Sequence, residues 1–291
     1  MTAAGATQPE TRSWQLDMFR KGLKKRQRLK VLTSLLAPIP DRDRCLLLTC
    51  GDNNGAMNYF LRKLGGRWSW ADLEDTSIAE MSELLGDPVA HAAEDRLPFE
   101  DAAFDRIVVI DVHEHVDDPG IVTRELVRVL KPGAQLVVTT PNGDEGKLAV
   151  RIKSLVGMSA DVYGHKRVGL TSAEIESLMS AAGVQPVRTR SFSRFFTEML
   201  ELTINFLYVK ILRKKDSAQL PAADEPHSHA GQHEHADHAE IAPATADQLS
   251  KVRTSYRIYS IIFPLYCAIS QLDHLLFFQE GYCVVVDGKR R

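Results

Sequence analysis

The sequence predicts an α/β fold, a parallel sheet wrapped by helices, and two observations carry that expectation. The first is alternation. Apolar runs of strand length near 44–50, 67–72, 88–93, 104–110 and 134–140 are separated or followed by helical patterns near 55–64, 76–85, 118–130 and 171–182. The second is the join between the first run and its helix. The run from Arg44 stops at a turn of Gly51, Asp52, Asn53, Asn54 and Gly55, and Asp72 follows 21 positions after Gly51 at the end of the next strand. Glycine and asparagine tolerate the left-handed backbone such a turn requires and let main-chain N–H groups approach a ligand. A carboxylate about 20 positions further on is spaced to accept from the ribose hydroxyls of a nucleotide-like ligand.

The elements that follow are punctuated in the same way. Thr171 with Glu174 three residues on forms a capping box, and Gly183 stands where a helix-stopping glycine belongs. A sixth strand is expected from Val184 to Arg190. Between the earlier elements lie three short motifs in fixed order: Leu97 to Asp105 (LPFEDAAFD), Asp111 to Pro119 (DVHEHVDDP) and Leu130 to Gly133 (LKPG), the last leading into Thr140, Pro141 and Asn142.

This order of motifs resembles the class I S-adenosylmethionine-dependent methyltransferases, in particular the methyltransferase type 11-like group, over about residues 40–190. The resemblance implies a Rossmann-like, doubly wound sheet of seven strands, strands 1–6 parallel and strand 7 antiparallel, with S-adenosylmethionine as cofactor. It places Gly51, Asp52, Asn53, Asn54 and Gly55 at the amino-acid end of the cofactor. Asp72 and Leu73 fall at the ribose, Glu94 or Asp95 at the adenine, and Asp111 at the end of the fourth strand. The chain departs from the group's pattern at Leu47, where an acid is expected, at Thr49, where a glycine is expected, and at Ala92 and Ala93 ahead of the adenine carboxylate. Asp52 is placed to replace the missing acid.

The seventh strand falls to Gly281–Asp287, whose β-branched run fits it. Residues 193–280 are then an insertion between strands 6 and 7, leaving from the carboxyl edge of the sheet where ligands bind. The domain reading is an N-terminal basic amphipathic helix in 1–40, a methyltransferase core in 41–192, a helical cap in 193–280 and the final core strand in 281–287. In the cap, Phe195, Met199, Leu202, Phe206 and Val209 share one helical face, and a second apolar stretch runs from Tyr256 to Phe278. Neither reaches the ~20 uninterrupted apolar residues of a membrane span. They read as helices packed on the domain, as a surface lying on a membrane, or as walls of a hydrophobic acceptor channel. Between them, about 214–246 holds His227, His229, His233, His235 and His238 with almost no apolar residue, the composition of a disordered linker rather than a metal site.

Arg20 to Lys30 contains seven basic residues and no acid beside Leu16, Phe19, Leu23 and Leu29. That pattern fits a basic helix at anionic lipid, or a helix covering the cofactor mouth with its charges solvated.

Composition narrows the function class. A chain of 291 residues with 44% hydrophobic content can bury a sizeable core, and a net charge of −2 argues against a protein that coats nucleic acid. Cys45, Cys50, Cys267 and Cys283 form no Cys-x-x-Cys pair, so neither disulfides nor zinc are expected. The polar N-terminus reads as no signal peptide, which points to a reducing, cytoplasmic setting, with membrane association on the cytoplasmic face as its extension.

For catalysis the candidates are His113, on the loop after strand 4, and His165, in the loop from Asp161 to Arg167. Glu114 and His115 read as structural. The function expected is O-methylation of a lipid-linked, glycan or hydrophobic small-molecule acceptor, with peripheral membrane contact. The competing reading is a cofactor-free binding protein docking a membrane or partner through its cap. Oligomeric state is not written in the sequence.

Overall fold

The computed structural model describes residues 13–51, 53–158, 165–216 and 245–291. The chain starts with two helices, α1 (Trp14–Lys21) and α2 (Leu23–Leu36). A single basic helix was expected here. Gly22 divides it, because its extended backbone (φ −84°, ψ 100°) ends α1 and lets α2 start at an angle.

The core then alternates as the sequence predicts: β1 (Ile39–Thr49), α3 (Ala56–Arg62), β2 (Gly65–Asp72), α4 (Ile78–Leu85), β3 (Val89–His91), β4 (Phe104–Ile110), α5 (Pro119–Val129) and β5 (Leu130–Pro141). Next come α6 (Leu148–Leu155), α7 (Ser172–Ala181) and β6 (Val184–Phe192). The chain then forms α8 (Phe195–Asp216), α9 (Ala246–Ser270) and a 3₁₀ helix (Gln271–Leu276) before closing on β7 (Cys283–Arg290). Asp118 caps α5, its carboxylate accepting from the Gly120 N–H at 2.7 Å, with Pro119 at the first helical position. The Thr171–Glu174 box caps α7. The histidine-bearing stretch 217–244 lies outside the described residues.

The seven strands lie in the order β3-β2-β1-β4-β5-β7-β6, with β7 antiparallel to both neighbours and the others parallel. Strand alternation divides the core. Leu46, Leu48, Ile107, Val109, Leu136 and Val138 face one side and pack with Leu126 of α5 and Met179 of α7. Leu47, Val108, Val137 and Val285 face the other and pack with Leu16, Leu32, Leu61 and Met81. Both layers are buried, which is why these strands read as continuous apolar runs.

Residues 193–280 leave and rejoin the sheet at neighbouring points, since Phe192 pairs with Cys283. Gly281 lies so close to Phe192 that any Cβ there would meet its backbone, and the Tyr282 N–H donates to the Ser193 carbonyl at 2.6 Å. The cap therefore stands on the carboxyl edge of the sheet.

Candidate functional site

A cavity of about 670 Å³ opens at the carboxyl ends of β1, β4 and β5. Its floor is Thr49, Cys50, Asn53 and Asn54 from the first loop, Asp111 and Glu114 after β4, and Asn142 after β5. Lys24 and Arg28 of α2 cover one side, and α6, Glu198 of α8, and Tyr256 and Tyr259 of α9 form the other walls.

The turn of the first loop is held from below by Asp72. Its carboxylate accepts from the Gly51 N–H (2.8 Å), the Glu74 N–H (2.9 Å) and the Thr49 hydroxyl (2.5 Å), and it is fully buried. Burial pushes its pKa up despite those bonds. The expectation that Asp72 faces the cavity is corrected here: it does not line it, because its acceptor sites are taken by its own chain. Leu73 likewise packs toward the core and donates its N–H to the Thr49 carbonyl at 3.0 Å.

The asparagines complete the turn. Asn53 accepts from the Gly55 N–H (3.1 Å) and Asn54 from the Ala56 N–H (3.2 Å), capping α3 while lining the cavity. Gly51 and Gly55 take left-handed backbone (φ 70° and 83°), as the turn demands. Asp52 lies outside the described residues. Glu94 and Asp95 sit in a tight turn closed by Ala93 and Arg96, half-buried and exposed respectively, and neither lines the cavity.

Past β4, Asp111 has a left-handed backbone (φ 49°) that turns its carboxylate into the cavity. Its Oδ2 lies 2.5 Å from Arg28, while its Oδ1 is buried with no hydrogen-bond partner among the described residues. Glu114 is also fully buried and also lines the cavity; Oε2 accepts from the Thr140 hydroxyl at 2.9 Å and Oε1 has no partner there. Burial and the neighbouring Asp111 charge push the Glu114 pKa well above the usual carboxylate range.

His113 does not face the cavity, which corrects the expectation that it points from the loop into the site. It is buried against α5, Nε2 is 3.0 Å from the Thr123 hydroxyl, and burial with the nearby Arg167 lowers its pKa to about 4. The period of the loop, with Val112 and Val116 both buried, turns the histidine inward and Glu114 outward to the cavity. His165 does line the cavity; its ring stands 4.6 Å from that of His115. The donor atoms of Glu114, His115 and His165 all lie within 4.8 Å of one another.

The structure also adds charges that the sequence reading left on the surface. Glu198 of α8 is buried between Lys24 (2.8 Å) and Lys153 (2.6 Å) and accepts from the Ser193 hydroxyl at 2.7 Å. Burial would push its pKa up, but the two ammoniums hold it well below the usual range. The signal was present in the basic run: Lys24 and Arg28 recur at helical spacing, on the cavity-facing side.

A cavity of this size suits a nucleoside-sized ligand and a second small molecule. The buried, unpaired oxygens of Asp111 and Glu114 suit a ligand that brings hydrogen-bond donors and positive charge. These residues fit S-adenosylmethionine.

The fold is that of the class I S-adenosylmethionine-dependent methyltransferases, and S-adenosylmethionine is the cofactor of that class. Residues 47–138 match the family model described as a methyltransferase domain. Among similar proteins, the demethylmenaquinone methyltransferase of Mycolicibacterium vanbaalenii is 27% identical over 149 residues, 45% of this chain and 65% of that protein. A ubiquinone biosynthesis O-methyltransferase of Xanthomonas oryzae is 27% identical over 112 residues, 36% of this chain and 47% of that protein. The chain thus spans less than two thirds of the length of either relative. The crystal structure of geranyl diphosphate C-methyltransferase from Streptomyces coelicolor shares the fold at 14% identity, with a TM-score of 0.51, over 92% of this chain and 76% of that one.

Proposed function

We propose that the protein is an S-adenosylmethionine-dependent methyltransferase that methylates an oxygen of a lipid-linked, glycan or hydrophobic small-molecule acceptor. The observation that carries this reading is one cavity continuous from the Gly51 loop to the helical cap, so that both ends of a transfer share an enclosed space. The acceptor names of the similar quinone methyltransferases favour an apolar acceptor, and Met57, Ile204, Tyr256 and Tyr259 supply apolar walls for one.

When bound, the cofactor supplies an electrophilic methyl group and its thioether leaving group. The chain's residues then divide the work. Gly51, Asp52, Asn53, Asn54 and Gly55 hold the amino-acid end, with Asp72 fixing Gly51 from below. Asp111 presents its carboxylate at the carboxyl end of β4.

An oxygen acceptor must lose its proton as the new O–C bond forms. Glu114 takes that role in place of His113, because Glu114 lines the cavity with Oε1 unpartnered among the described residues and its raised pKa makes it the stronger base once ionised. His165, with its donor atom within 4.8 Å of that carboxylate, receives the proton and passes it outward.

A second reading, a cofactor-free binding protein, is favoured by one observation: the Gly51, Gly55 and Ala56 N–H groups are all taken by side chains of this chain. Calorimetric titration with S-adenosylhomocysteine decides between the two. Micromolar binding supports the enzyme, and no heat at saturating ligand leaves the binding protein. Transfer of a labelled methyl group to quinol, polyprenyl and glycan acceptors then reports the acceptor class.

A further inference from the structure

We propose that the outer face of α9 and the 3₁₀ helix is a docking surface that seats the protein on an anionic lipid bilayer. The two sides of α9 differ. Tyr256, Tyr259 and Tyr266 turn inward, the first two onto the cavity. Ile258, Ile261, Ile262 and Leu265, spaced i, i+3, i+4 and i+7, turn outward, with Ile261 79% exposed.

The 3₁₀ helix continues the stripe. Asp273 is buried and accepts from the backbone N–H groups of Arg194 (2.9 Å) and Phe196 (2.8 Å), which pins that side against the start of α8. With three residues per turn, the pinned side leaves Leu272 and Leu275 facing solvent together, and Phe277 follows at 78% exposed beside Phe278. Among the described residues nothing covers these side chains. Eight exposed large apolar side chains on one helix and the turn that continues it mark an interaction site rather than ordinary surface.

Charge identifies the occupant. The Tyr259 hydroxyl donates to the Lys21 carbonyl, Lys21 Nζ donates to the Ser260 hydroxyl at 2.7 Å, and the Tyr256 hydroxyl donates to the Asp17 carbonyl at 3.3 Å. These bonds lay the C-terminal half of α1 along α9. Arg26 of α2 and Arg257 of α9 are exposed, Arg20 pairs with Asp17, and Glu198 and Glu201 of the neighbouring α8 lie on the cavity side. An apolar stripe that begins beside the exposed Arg257, with the exposed Arg26 near Tyr259 of α9, matches a bilayer interface bearing phosphate headgroups. No described helix is long and apolar enough to cross a membrane, so the contact is interfacial.

The cavity also reaches the surface at α6. Leu155 of α6 lines the cavity and is 86% exposed, and Leu148 of α6 shares a groove with Leu276 of the 3₁₀ helix. With the α9 face seated on a bilayer, the exposed α6 edge at Leu148 and Leu155 would be the route by which an apolar acceptor reaches the cavity. That last consequence rests on the methyltransferase reading; the docking itself does not.

Flotation of the full chain with vesicles of phosphatidylcholine, alone or mixed with phosphatidylglycerol, tests the proposal. The wild type floats with the mixed vesicles, and I261E/L265E and L275E/F277E each lower the bound fraction by about tenfold or more. R26Q/R257Q removes most of the preference for the anionic vesicles. Because all these side chains are exposed, each variant keeps the wild-type melting temperature and S-adenosylhomocysteine affinity, which separates lost docking from lost fold or lost cofactor site. Absence of flotation by the wild type overturns the proposal, as does undiminished flotation of both glutamate variants. A lipid-free dimer that I261E/L265E converts to monomer, with no flotation of the wild type, assigns the face to a second copy of the chain instead.

Discussion

Arg28 of α2 and Asp111 at the end of β4 meet at 2.5 Å, side chains 11% and 21% exposed. The pair ties the N-terminal helices to the carboxyl edge of the sheet, and it supplies the nearest counter-charge to a buried acidic corner that also holds Glu114.

Arg28→Met therefore leaves Asp111 without its partner, and the expected loss of stability is about 3 kcal/mol. The double variant Arg28→Met/Asp111→Asn should lose less than the two single changes added together. Urea denaturation of the four proteins gives the coupling; simple additivity would show that the contact contributes nothing.

Asp72→Ala is expected to lower the melting temperature as well as cofactor affinity. It removes the acceptor for two backbone N–H groups and the Thr49 hydroxyl, each bond worth about 1.5 kcal/mol or more with a charged acceptor. A residue that met only the ribose would change affinity alone. Differential scanning calorimetry without ligand makes the distinction.

His113 gives the stability a definite acid limb. Its folded pKa of about 4 lies below the ordinary 6.5, so the unfolded chain binds the proton more readily. The contribution is fully present above pH 6.5 and is lost progressively as pH falls to about 4, amounting to about 3 kcal/mol. His113→Gln should flatten that part of the stability–pH curve. An unchanged slope between pH 6.5 and 4 would place the titration elsewhere.

For turnover, Glu114→Gln should reduce kcat by about a hundredfold or more on an oxygen acceptor while S-adenosylhomocysteine affinity stays within about twofold. His113→Gln should retain most of the activity. The reverse ranking in a methyl-transfer assay would restore the histidine as the base.

Gly281→Ala tests the base of the cap. The added carbon meets the Phe192 backbone rather than a movable side chain, so the strand pairing must shift, at a cost of about 2 kcal/mol. Retention of wild-type stability would show that the junction yields. Truncation after residue 192 goes further, removing β7 from between β5 and β6 and exposing two strand edges. Aggregation is the expected result, seen by light scattering.

The sheet was legible because its strands are buried on both faces and bounded by glycine, asparagine and proline. β7 was legible only through the resemblance, since 90 residues separate Gly281 from its neighbour Ser191. The site was harder. Asn53, Asn54 and Asp111 line the cavity, but the direction of a side chain on an irregular loop follows from its contacts, not its spacing. His113 and Glu114 are adjacent in the chain and point to opposite environments. The roles of Lys24, Arg28 and Glu198 depend on α2, α6 and α8 meeting in space, which no local pattern states. α6 itself was missed, being short and flanked by glycines at 143, 146 and 157.

The cap enters and leaves through a single doorway, where Ser193 and Tyr282 share a hydrogen bond. No strand register depends on how much chain lies beyond it. Such a cassette can be lengthened, shortened or exchanged while the sheet beneath keeps every pairing, so acceptor choice and cofactor handling are free to diverge at different rates. Across proteins built on this plan, the residues around the doorway should vary less than the helices they admit.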